Sequence, residues 1–232
     1  MVTELKSSST DEVYQRLRRK ILDHSIPPAT RININQLASE IGVSATPVRE
    51  ALRLLQGDNL LVAISNKGYA TTPILDSNGV RDLFEFRLLV EPWAAGVAAS
   101  NRLRNPAKRL LLEIQAFDSV ADTIQHSMIA HDSRFHLAIL GSTENGTVIQ
   151  AYDQSHCHLH LFRMIRNTWD WETSLREHEQ IASAIAAGDA AMAEEAMRGH
   201  LQSAYAGFMH AMPKQGAVPA LSVTSESKLI DT

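Results

Sequence analysis

The sequence predicts a mainly α protein in two parts: a small amino-terminal unit of three helices closed by a β-hairpin, and a longer carboxy-terminal bundle of antiparallel helices. Three observations predict this. Apolar residues recur at helical spacing in short early segments, as in Val13, Leu17 and Ile21 and again in Val48, Ala51, Leu52 and Leu55. Residues 60–72 are β-branched in places and broken by Asn66-Lys67-Gly68, which is hairpin composition. From about 80 to 210 the spacing is helical and no strand pattern survives, which leaves a bundle.

The elements follow in order. Residues 1–10 are polar, and a disordered amino terminus is expected there. Residues 11–24 form an amphipathic helix with Arg16, Arg18, Arg19 and Lys20 on its outer sides, ended by Pro27-Pro28. Asn35 is expected to cap a short helix through Ile41, and Gly42 supplies a turn. Ser44 or Thr46 caps the next helix, with Pro47 tolerated in its first turn and Gly57-Asp58 as its stop. The unit spans 11–74, and 75–79 reads as a linker. Helices are then expected at 77–102, 106–118, 121–140, 145–167, 174–187 and 190–210, punctuated by Pro106, the 141–146 segment and Gly188-Asp189. The second domain covers 80–212, and 213–232 lack periodicity and read as a loose tail.

Composition bounds the function. A hydrophobic share of 44% and a charged share of 21% are those of a globular protein in water. No apolar run approaches the roughly 18 residues that cross a membrane, and no signal core opens the chain, so neither a membrane partner nor export is expected. The lone Cys157 excludes an internal disulfide and fits a reducing cytoplasm. Net charge is −4 but uneven: residues 1–75 carry nine Lys/Arg against seven Asp/Glu, and the rest carry thirteen against nineteen. The slight basic excess lies in the small unit.

Residues 35–55 read as a helix, a tight turn and a second helix with one exposed edge. This is the form that lays its second helix in the major groove of DNA. Thr46, Arg49 and Arg53 lie three and four apart on the side away from the apolar stripe. An arginine fork matches the O6 and N7 edge of guanine, so Arg49 is assigned base or phosphate contact. Thr46 and the amides near Ser44 are assigned phosphate, and Lys67 at the hairpin tip is placed to reach the minor groove or backbone. The bland alternative is a solvated helix face carrying ordinary surface arginines.

The long second part carries polar groups on faces that should be apolar. Asp132 and His136 are four apart on one helix, beside Ile129, Phe135 and Ile139. His178 precedes Ile181, Ala182 and Ile185, and His200 follows Ala193, Ala196 and Met197. Three imidazoles and a carboxylate on inward faces suit a divalent transition metal, although spacing alone leaves each histidine equally readable as a satisfied core residue. Arg87 shares a stripe with Val80, Phe84 and Glu91. It either pairs with Glu91 one turn on or clamps a ligand carboxylate. Arg134 and Arg163 are weaker candidates for that work. His156, His158 and His160 alternate on a helix and cannot share a face, so at most one faces a pocket and none is a metal ligand.

Two resemblances sharpen these readings. The run Leu37-Ala38-Ser39-Glu40-Ile41-Gly42-Val43-Ser44-Ala45-Thr46-Pro47-Val48-Arg49-Glu50-Ala51-Leu52 resembles the signature of the GntR family of bacterial regulators. Ala45 stands where that family usually carries a DNA-contacting arginine, and its second arginine falls on Arg49. Losing one bidentate contact implies weaker or altered operator recognition by ~1–3 kcal/mol. Residues 80–210 resemble the FCD effector domain, through Arg87 to Glu91 with Ala94-Ala95, Asp132 to His136, a helix-starting Asn145, Glu177 to Asp189, and His200. The resemblance implies a winged helix-turn-helix joined to an FCD-like bundle. It also implies a divalent metal (Zn, Ni, Mn or Fe, with zinc the expected occupant on crystallisation) on Asp132, His136, His178 and His200. The ligand side would be Arg87 with Asn145, Arg134 and Arg163.

The function expected is a homodimeric, operator-binding regulator, acting as a repressor. A small carboxylic acid would bind at the metal and shift the angle between the DNA-binding domains. The rival is a metal-dependent hydrolase or lyase on the same Asp/His site, for which no motif marks a general base.

Overall fold

The computed structural model describes residues 10–65, 67–117, 124–164, 170–212 and 221. The expected disordered terminus (all but Thr10) and the expected tail from 213 (all but Leu221) lie outside the described residues. The chain divides into two compact units, one of Met1–Ile74 with Phe162–Met164, the other of Leu75–Leu161 with Ile165–Thr232.

The first unit begins with α1 (Thr10–Leu22), whose Val13, Leu17 and Ile21 are buried against α3. Asp11 and Glu12 open it and Arg19 and Lys20 close it, each sign placed where the helix dipole favours it. α2 (Ile34–Ile41) is capped by Asn33, whose side chain accepts from Gln36 N at 3.1 Å; this corrects the expected Asn35 cap. The reason lies one residue earlier. Ile32 N donates to Tyr69 O at 2.8 Å, so the chain is held extended up to Asn33 and turns helical immediately after. Gly42, at φ +84°, makes the left-handed turn that a side chain resists. α3 (Ala45–Gly57) buries Val48, Ala51, Leu52 and Leu55. Ser44 stands at its N-cap in extended conformation, with no side-chain cap bond. β1 (Leu61–Ile64) and β2 (Gly68–Thr71) pair antiparallel in the register Leu61 with Thr71 and Ile64 with Gly68. This is the hairpin expected of a winged helix.

The second unit is helical: α4 (Ser77–Ser100), α5 (Ala107–Gln115), α6 (Ile124–Gly141), α7 (Gly146–Ser155), α8 (Cys157–Phe162), α9 (Trp171–Ala187) and α10 (Ala190–Ala211). α4 begins inside the expected linker because Asp76 caps it, accepting from Gly79 N at 2.8 Å. The helix expected over 145–167 is two. His156, at φ +46°, breaks it between α7 and α8. α10 packs most extensively on α4 and then on α9, with Phe84 meeting Tyr205 edge-on at 5.5 Å. Gly96 leaves room for the Glu194 side chain, whose Oε1 a Cβ there would meet at 2.2 Å. α6 packs on α4 and α5, and α9 on α4 and α5, so inward side chains of α4, α6, α9 and α10 meet in one core.

Candidate metal centre

Asp132 and His136 lie one turn apart on the inner side of α6, His178 on α9 and His200 on α10. One ligand atom from each lies within 4.8 Å of all the others. His136, His178 and His200 are buried, and Asp132 is partly exposed. Asp132 Oδ1 is 3.4 Å from His136 Nε2 and 3.5 Å from His178 Nε2.

The outer atoms of these groups are taken. His136 Nδ1 contacts Glu91 Oε2, His178 Nδ1 is 2.9 Å from His131 Nε2, and His200 Nδ1 is 2.8 Å from Glu177 Oε2. Asp132 Oδ2 is 2.7 Å from His158 Nδ1. His178 and His200 have Nδ1 within hydrogen-bond distance of a partner and His136 has its Nδ1 against a carboxylate, leaving Nε2 as the nitrogen able to ligate. A metal-binding histidine is commonly held this way from its far nitrogen. His178 Nε2 is buried and has no hydrogen-bond partner among the described residues. A buried imidazole nitrogen left unpaired beside a carboxylate oxygen is costly unless something positive satisfies it. The donor set therefore fits a divalent metal, with one oxygen and three nitrogen donors.

Electrostatics agree. Burial opposes the charge on Asp132, but the His136 and His158 imidazoles outweigh it and hold the carboxyl well below its ordinary range. Burial and then the neighbouring histidines push His178 well down, and burial pushes His200 down, so both present neutral rings. His136 goes the other way. Burial lowers it, yet Glu91 and Asp132 raise it further, so its ring must give up a proton to take a metal.

Arg87 stands beside this cluster, buried, with Nη2 3.4 Å from His136 Nε2. Its charge is met by Glu91, with Nε donating to Oε1 at 2.5 Å and Nη2 to Oε2 at 3.4 Å. The sequence left Glu91 and a ligand as alternative partners; in this structure the partner is Glu91. Tyr152 OH donates to Glu91 Oε1 at 2.9 Å and lies 3.0 Å from His158 Nε2, closing a polar chain from Arg87 to Asp132. The carboxylate of Glu91 is held ionised against burial by Arg87 and then His136.

The other candidates on the ligand side have partners of their own. Asn145 caps α7, accepting from Val148 N at 3.2 Å, and is exposed. Arg134 is exposed and donates to Glu113 Oε1 from Nε at 3.0 Å and Nη2 at 2.7 Å. Arg163 is buried and grouped with the first unit, where its Nη1 and Nη2 donate to Thr72 Oγ1 and Thr72 O at 2.5 and 2.6 Å. In the first unit, Ser44, Thr46, Arg49, Arg53 and Lys67 are all exposed. Arg49 and Lys67 line one recess with Arg31, Asn33 and Asn35.

Sequence reasoning missed three contributors to the metal centre: His131, Tyr152 and the role of Phe135. Helical spacing held the signal for His131, which is one turn before Phe135 and shares its face. Tyr152 gave none, because its partners Glu91 and His158 lie on other helices.

Comparison with known proteins now bears on these observations. Residues 82–203 match the FCD domain, and residues 9–70 match the family described as bacterial regulatory proteins, gntR family. The chain is 28% identical over 174 residues to the HTH-type transcriptional regulator YdhC of Bacillus subtilis (strain 168), covering 73% of this chain and 77% of that one. It is 28% identical over 153 residues to the Nta operon transcriptional regulator of Aminobacter aminovorans, covering 66% and 70%. Among solved structures, a GntR regulator from Rhodococcus sp. RHA1 superposes with a TM-score of 0.70 at 22% identity, covering 88% of this chain and 99% of that one. McbR/YncC of E. coli does so with 0.64 at 20%, covering 88% and 99%. At those identities the structural likeness shows the fold alone. The matched families and these sequence relatives are transcriptional regulators, not enzymes.

Proposed function

The chain belongs to the gntR family of bacterial regulatory proteins and carries an FCD domain, and from that premise we propose that it is a metal-loaded repressor whose operator binding is set by a small carboxylic acid. Asp132, His136, His178 and His200 would hold the divalent ion. Bound there, the ion would supply a positive centre for a carboxylate oxygen. The observation that carries the reading is the convergence of those four groups, each already braced from outside, with the Arg87 guanidinium 3.4 Å from one of them. Arg87 adds a second cation beside the ion, and Glu91 holds its guanidinium in place.

In the first unit, Arg49 and Arg53 on α3 and Lys67 on the wing supply exposed cations for phosphate and base edges, with Ser44 and Thr46 at the helix start. A second copy of the chain would present the same surface to the other half of a two-fold operator. The effector acts only if it binds the DNA-competent and DNA-incompetent arrangements with different affinity, and the coupling is then reciprocal.

The test uses purified, metal-loaded protein and its operator in a mobility-shift assay. A panel of sugar acids, hydroxy acids and aromatic acids is added with and without prior chelation. The expected result is release of DNA by one acid class, abolished by chelation. Unfolding on chelation without any response to acids would leave the metal a purely structural part. Turnover of an acid without DNA binding would overturn the reading in favour of an enzyme.

A further inference from the structure

We infer that His131 is a positioning residue for the metal ligand His178, the middle link of a relay running from Arg134 through Glu113 and His131 to the metal centre; the inference rests on the metal reading above. His131 sits on α6 immediately before Asp132, is 1% exposed, and brings Nε2 to 2.9 Å from His178 Nδ1. One of these nitrogens must donate and the other accept. A metal on His178 Nε2 takes that nitrogen's lone pair, which leaves the proton on Nδ1. His178 then donates and His131 accepts through Nε2. The proton of His131 accordingly lies on Nδ1, and that atom is 3.4 Å from Glu113 Oε1 on α5, within ion-pair reach but outside hydrogen-bond geometry. Glu113 is itself held by the Arg134 fork.

The assignment gives His131 and His178 one proton each, and the groups span three helices, α5, α6 and α9. It also distinguishes His178 from the other two imidazoles. Glu91 and Glu177 brace His136 and His200 directly with carboxylates. His178 receives a neutral ring instead, and the carboxylate stands one residue further out. Ring contacts fix the geometry: Phe135 stacks flat on His178, and Phe117 meets His131 edge-on at 5.5 Å. His131 stands outside the four-residue cluster, and its Nε2 is engaged with His178.

The experiment uses the full chain loaded with Co2+, followed by its visible spectrum and by chelator competition, with melting of the metal-free protein as the control for folding. His131→Leu keeps a buried side chain but removes the acceptor. It is expected to weaken Co2+ binding by roughly 10–100-fold and to shift the visible bands, since outer partners of metal-bound histidines have effects of that size. His131→Gln, whose Oε1 accepts from Nδ1–H, is expected to recover most of the affinity and the wild-type bands. Wild-type affinity and spectrum in His131→Leu would overturn the inference. So would equal losses in both variants, which would mean that only packing was disturbed. A wild-type chain that takes up no Co2+ brings down the metal reading itself, and does so before any variant is made.

Discussion

The ring of Phe135 lies flat on the imidazole of His178, with centroids 4.0 Å apart and planes 7° from parallel. Phe135 is fully buried and stands between the two proposed α6 ligands in sequence, three residues after Asp132 and one before His136. One short stretch of helix therefore supplies two donors and the wall that orients a third. Phe135→Ala should cost about 3–5 kcal/mol of stability as a buried aromatic truncation. Phe135→Leu should cost less but let the His178 ring turn, and so weaken metal binding in chelator competition. Unchanged metal affinity in a folded Phe135→Leu protein would show that the stacking does not orient the ligand.

His136 touches Glu91 on one side and faces Asp132 on the other, so it joins the ligand cluster to the Arg87 network. His136→Ala removes a donor and leaves Glu91 with one partner fewer. Metal content, read by elemental analysis, should fall steeply, and the response to carboxylic acids should disappear. DNA binding by the metal-free protein should persist, because the DNA-reading residues belong to the other unit. Full metal occupancy in this variant would contradict the ligand set.

The helix-turn-helix and its wing were legible because each element carries its own signal: period and caps for the helices, a broken β-branched run for the hairpin. The four clustered donors were legible only through the family resemblance, since no spacing reveals that α6, α9 and α10 converge. His156-x-His158-x-His160 reads as scattered faces on an unbroken helix. The left-handed His156 restarts the helix and turns His158 toward Asp132, a local backbone choice the residue types do not announce. Asn33 rather than Asn35 became the cap because a hydrogen bond from Ile32 N to Tyr69 O, 37 residues downstream, keeps Ile32 extended, a tertiary cause invisible to local reading. Arg163 looked like a ligand-side cation by charge alone, whereas its position is set by Thr72, far away in sequence.

Arg49 is exposed on α3, opposite the buried stripe of Val48, Ala51, Leu52 and Leu55. Its removal takes nothing from the core, so the unfolding midpoint of Arg49→Ala should move by no more than about 0.5 kcal/mol in stability. Operator binding in a mobility-shift titration should be lost. Ala45→Arg, restoring the cation the family usually carries at the start of α3, should change operator preference by ~1–3 kcal/mol between sequences. Operator affinity unchanged by Arg49→Ala would remove α3 from the groove.

Tyr14 and Asp58 tie α1 to the end of α3, with the phenol donating to Asp58 Oδ2 at 2.5 Å. Burial first, and then the hydrogen bond to Asp58 and its charge, raise the phenol from 10.0 to about 12. The folded state thus prefers the protonated phenol more than the unfolded chain does. The resulting stabilisation is present in full below pH 10 and drains away as pH climbs from 10 toward about 12. Tyr14 is only half-buried, so solvent screens much of the effect, and the hydrogen bond is worth about 1 kcal/mol. Tyr14→Phe should therefore lower stability by that amount at pH 8 and flatten the loss between pH 10 and 12 in chemical unfolding. A variant that unfolds with the same alkaline slope as the parent would assign that slope to other groups and leave the Tyr14–Asp58 bond without energetic weight.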